Sequence, residues 1–166
     1  MENKTKPSYN MWINTTLAAC VVFFICCLLG DIFGYSFCRF CWHGALFGDG
    51  YLTAIPFLDD RNNRFICFLT CFYLSTGLTY PILYFVSKLL LNLKKDVVFD
   101  KKNTRLMTGI SACCFLICLV CILGACASAS LCVIALVGLF VGLIVQCVRL
   151  VMDKAIDMRD ELDLTV

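Results

Sequence analysis

Four long apolar runs, separated by short polar or mixed stretches, dominate the chain. They cover residues of about 12–37, 65–93, 106–126 and 131–150. A helix that crosses a bilayer needs roughly 20 consecutive, mostly apolar residues, and each run meets that length. The pattern predicts an all-α membrane protein with four transmembrane helices, forming one domain over residues 1–166. A signal peptide is the rival reading of the first run. Its apolar core would be about 7–15 residues long and end in a small-x-small cleavage site. This run is longer and passes into Gly30-Asp31-Ile32-Phe33-Gly34-Tyr35, so an uncleaved span is expected.

The stretches between the runs refine the picture. Residues 38–64 mix Trp42, Phe47, Tyr51 and Phe57 with Gly44, Gly48, Gly50 and Pro56, which reads as a loop lying at the membrane interface. Pro81 lies within the second run, and Ser75, Thr76 and Thr79 precede it closely enough to bond a carbonyl that it frees. Asp100 reads as the N-cap of the third helix. Ala127-Ser128-Ala129-Ser130 is so short a link that helices three and four must form an antiparallel hairpin. Past residue 150 the chain turns charged, with Val148, Val151, Ala155, Met158 and Leu162 at heptad spacing and acids on the other faces. The fourth helix is therefore expected to extend into the cytoplasm as an amphipathic tail over 151–166.

Composition agrees. Hydrophobic residues make up 61% of the 166 and charged residues 16%, against about half and a quarter in a soluble domain. The apolar excess must face lipid, so the bilayer is the first expected partner. A net charge of +2 without a basic face offers no direct nucleic-acid binding. The basic residues are nevertheless unevenly placed. Lys4 and Lys6, then Lys88, Lys94, Lys95, Lys101, Lys102 and Arg105, then Arg149, Lys154 and Arg159 all fall on one side of a four-span topology. Only Arg39, Arg61 and Arg64 fall on the other. The positive-inside rule then puts both termini and the middle connection in the cytoplasm.

Candidate chemistry is sparse. Most of the 14 cysteines sit inside apolar runs, where a thiol acts as a small hydrophobe. Cys38-Arg39-Phe40-Cys41 is the exception, a C-x-x-C at the outer end of the first span that suits a redox disulfide. A second outer cysteine pair on a mobile loop, which relay to a quinone requires, is missing. His43 does not follow Cys41 directly, so haem attachment fails. Asp31 is an intramembrane carboxylate expected near the outer interface, where a transport or proton role is the functional alternative. Gly138 and Gly142 form a G-x-x-x-G that suits close helix packing within the chain, with homodimerisation as the alternative. No phosphate loop, nucleophile elbow or metal-ligand cluster is present in the sequence, and no catalytic residue or cofactor is expected.

Two stretches together resemble a known family. Val98-Phe99-Asp100-Lys101-Lys102-Asn103-Thr104-Arg105-Leu106 leads into Gly109-Ile110, and the chain closes on Asp160-Glu161-Leu162-Asp163-Leu164-Thr165-Val166. They are similar to the bacterial small four-helix membrane proteins of the domain-of-unknown-function family numbered 2975. That family carries a Phe, an Asn and a basic residue with Leu before its third span, and an acidic helix before its end. The resemblance covers roughly Val97 to Val166. It implies a four-helix fold in the bacterial cytoplasmic membrane, no established activity, and a small helix-turn-helix regulator as a partner.

The expected function is thus non-enzymatic: binding or sequestering a small cytoplasmic DNA-binding protein. The residues expected to carry it are Asp100, Asn103 and Arg105 before the third span, and Val151, Ala155, Met158, Leu162, Leu164 and Val166 in the tail. The alternatives are a quinone-linked thiol oxidoreductase using Cys38 and Cys41, and a small transporter or immunity protein.

Overall fold

The structure is a computed structural model that describes residues 5–43, 60–95 and 100–163. It is built from α1 (Thr5–His43), α2 (Arg61–Lys94), α3 (Lys101–Gly124) and α4 (Ser130–Asp163). All four helices are long and apolar enough to cross a membrane. The shortest, α3, has 24 residues, so at 1.5 Å per residue it spans about 36 Å, more than the roughly 30 Å hydrocarbon core.

The helices start where the side chains allow. Asp100 is extended, and its carboxylate accepts from the backbone N–H of Lys102 at 2.9 Å, the N-cap expected from the sequence. Asp60 does the same for α2, accepting from Asn62 N–H at 3.1 Å. A second cap inside the segment expected to be loop lets α2 begin at Arg61 rather than near residue 65. α1 also differs from expectation. It does not end near residue 37 but runs on through Cys38 and Cys41 to His43. Nothing in Ser36-Phe37-Cys38-Arg39-Phe40 breaks a helix, and the glycines that would do so come only afterwards. Between α3 and α4 the chain turns tightly, with Ala127 N–H and Ser128 N–H both donating to Gly124 O. Ser128 is fully buried in that turn.

Pro81 lies in the middle of α2. The preceding hydroxyls do not serve the carbonyl of Gly77, whose usual donor proline lacks. Thr76 Oγ1 donates to the carbonyls of Phe72 and Tyr73, and Thr79 Oγ1 donates to that of Ser75, one turn earlier.

Each helix packs along its length against its neighbour in the chain: α1 on α2, α2 on α3, α3 on α4. α2 and α3 are therefore the inner members, and on α3 the buried Met107, Ile110, Cys114, Cys118 and Cys121 form one stripe at spacings of three and four. Close approach depends on small residues. A Cβ at Gly124 would lie 2.5 Å from Cys71 Sγ and 2.8 Å from Leu131, and one at Gly142 would lie 3.3 Å from Cys114 Cβ. At the α3–α4 turn side chains of all four helices converge, with Cys38, Phe68, Cys118, Cys121, Leu131 and Ala135 buried together. Elsewhere the outer faces are apolar and uncovered, as at Val22, Phe33, Leu136 and Phe140. That is the surface lipid would cover.

Candidate functional site

Polar residues from all four helices gather at the end opposite the α3–α4 turn. Side-chain hydrogen bonds tie this end together. Lys94 Nζ donates to Asn14 Oδ1 at 3.0 Å, joining α2 to the start of α1. Asn92 Nδ2 donates to Asn103 Oδ1 at 2.8 Å, joining the end of α2 to the start of α3. Asp100 caps α3 between them. Asn103 is 0% exposed. Its carboxamide is part of the packing between α2 and α3, so it is withdrawn from any docking surface. Arg105, by contrast, is exposed.

α4 runs unbroken to Asp163, well past its apolar stretch. In this extension Ile156 is buried at 4% exposure, while Val151, Met158 and Leu162 are exposed at 70%, 51% and 69%. Ala155 is half-buried. The heptad pattern thus locates an outward apolar stripe, and the residue that seats the extension on α3 is Ile156, which that pattern leaves out. Leu164 and Val166 lie outside the described residues.

Between the two helices is an open groove of about 390 Å³. Lys101 and Arg105 line it from α3, and Arg149, Asp153 and Asp157 from α4, over Thr104, Thr108 and Ile156. Arg149 Nε donates to Asp153 Oδ2 at 3.3 Å, an i,i+4 ion pair. Sequence reading used Lys101 and Arg149 only for orientation. Their positions were signalled by periodicity: 101, 105 and 108 share one face of α3, and 149, 153 and 156 one face of α4.

Within the spans, Asp31 pairs with Tyr80. Tyr80 Oη donates to Asp31 Oδ2, and Tyr73 Oη donates to the Asp31 backbone carbonyl at 3.4 Å. Asp31 Oδ1 is buried and has no hydrogen-bond partner among the described residues. The carboxylate was expected near the outer interface. It lies within the candidate span Asn10–Phe40 and meets the middle of α2, and α1 continues beyond it to His43. Ser111 Oγ, 3.2 Å from Gln146 Oε1, is a second polar contact between spans, linking α3 to α4.

Cys38 is 1% exposed, in the apolar cluster where the four helices meet. A thiol there lacks the access that exchange with a partner disulfide needs. The Cys41 side chain lies outside the described residues. Gly138 and Gly142 both face Cys114 on α3: a Cβ added at Gly138 would lie 3.8 Å from the Cys114 carbonyl oxygen, and one at Gly142 would lie 3.3 Å from Cys114 Cβ. Among the described residues no group of three His, Cys, Asp or Glu is placed to hold a metal ion.

No curated protein and no solved structure matches the chain. One family model does, over residues 5–166 and so far beyond the second half that carried the resemblance. Four apolar helices in one small domain fit that assignment. The chain belongs to the family described as protein of unknown function (DUF2975).

Proposed function

We propose that this is a non-enzymatic multi-pass protein of the bacterial cytoplasmic membrane whose inner end holds a small helix-turn-helix regulator. Both termini and the α2–α3 connection lie in the cytoplasm, a reading supported by the excess of Lys and Arg at those places. The observation that carries the docking role is the α4 extension. It is seated on α3 by Ile156 and presents Val151, Met158 and Leu162 outward on one face. An apolar stripe on an otherwise charged helix beyond the span is what a helix-in-groove partner takes.

The test is crosslinking in native cells followed by purification from membranes, comparing the full chain with Met158→Glu/Leu162→Glu. Capture of a small DNA-binding protein by the first and its loss from the second is the expected result. Equal background from both would end the sequestration reading.

A small transporter or immunity protein is a second reading, favoured by the Asp31 carboxylate with its unpartnered oxygen inside a span. It expects Asp31→Asn to alter export or tolerance of a compound at unchanged protein level. No change across a broad panel counts against it.

A further inference from the structure

The groove between α3 and α4 draws its cations from both helices, Lys101 and Arg105 on one wall and Arg149 on the other. Asp153 holds Arg149 through Nε, which fixes the guanidinium and leaves its terminal nitrogens to donate elsewhere. Arg105 makes no side-chain hydrogen bond or ion pair among the described residues. The two threonines offer no donors. Thr104 Oγ1 gives its proton to Lys101 O and Thr108 Oγ1 gives its own to Thr104 O, each at 2.9 Å. Among the described residues three cations line the groove against two carboxylates, Asp153 and Asp157, the first of which pairs with Arg149. Guanidinium forks held near a lysine suit the oxygens of a phosphate.

We propose that this groove binds a phosphate-bearing anion, supplied by the headgroup of an anionic phospholipid or by a soluble phosphate. The setting suits a lipid. Exposed Leu139 and Leu143 precede Arg149 on the flank of the groove face of α4, so an acyl chain can lie along the span while its phosphate enters the groove. Basic pockets between helices at the cytoplasmic side are a common way of holding acidic headgroups. The inference stands apart from the docking role. At 100° per residue, Arg149, Asp153 and Asp157 lie on the side of α4 opposite Val151, Met158 and Leu162.

The full-length protein in detergent is titrated with phosphatidylglycerol and with phosphatidylcholine by native mass spectrometry. Its melting is followed separately with inorganic phosphate. Phosphatidylglycerol is expected to bind more tightly than phosphatidylcholine, and Lys101→Gln/Arg105→Gln to weaken it about tenfold. Lys88→Gln/Lys95→Gln removes the same charge outside the groove and is expected to leave binding within about twofold of the original. If instead inorganic phosphate stabilises the protein, and only the groove variant loses that effect, the ligand is a soluble phosphate. Equal losses in the two double variants overturn the proposal. So does a result in which neither probe depends on Lys101 and Arg105.

Discussion

Asn103 shows how a polar side chain at the start of an apolar helix can be structural. It is fully buried at the start of α3, and its carbonyl oxygen takes the amide of Asn92 from the end of α2. Removing one partner of a buried hydrogen bond leaves the other unsatisfied, at a cost of about 1–3 kcal/mol. Asn103→Ala is therefore expected to lower the stability of the detergent-solubilised protein by about that amount, seen as an earlier thermal transition. Asn103→Ala melting like the original would mean that Asn92 finds water or another acceptor. Arg105, two residues on and exposed, is free of that constraint. The pair shows why neighbours in one motif need not share a role.

At the scale of helices, the α3–α4 seam depends on one half of the G-x-x-x-G more than the other. A Cβ at Gly142 would lie 3.1 Å from the Phe115 ring and 3.3 Å from Cys114 Cβ, whereas one at Gly138 has only Cys114 O, at 3.8 Å. Forcing a large side chain into a packed seam costs about 1–3 kcal/mol. Gly142→Leu is expected to destabilise by that order, and Gly138→Ala to stay within about 0.5 kcal/mol. Thermal unfolding of the two variants in one detergent checks the contrast, and equal losses would place both glycines in the seam. The same seam sets the course of the α4 extension, because Ile156 continues the contact with α3 after the apolar run has ended.

At the scale of the whole molecule, the helices pack in chain order, and side chains at the α3–α4 turn draw all four together. Four spans put the two termini on the same side. Our proposal that this side is the cytoplasm rests on the placement of the basic residues. A fluorescent protein fused after Val166 is expected to glow, and an alkaline phosphatase fused there to stay inactive. The same phosphatase in the α1–α2 connection is expected to be active. Activity at the C-terminal fusion would reverse the topology and move the α3–α4 groove and the α4 extension to the outer face.

The sequence alone determined what depends on local composition and period. Four apolar runs longer than a bilayer is thick specify four helices, Asp100 specifies where α3 begins, and a four-residue small turn specifies the α3–α4 hairpin. Apolar content marks the spans but not the helix ends: α1 runs on to His43, and the Asp60 cap starts α2 at Arg61, before its apolar run. Family membership was legible from two short motifs near the third helix and the C-terminus. What only the tertiary structure decided is which residues meet. Asn103 pairs with Asn92, Asp31 with Tyr80, and Arg105 shares a groove with Arg149 across two helices. In each span nearly every position is apolar, so hydrophobic periodicity does not say which face turns toward a neighbour and which toward lipid. That choice is made by the fit of small residues such as Gly124 and Gly142 against particular side chains, a property of pairs of helices and not of either one.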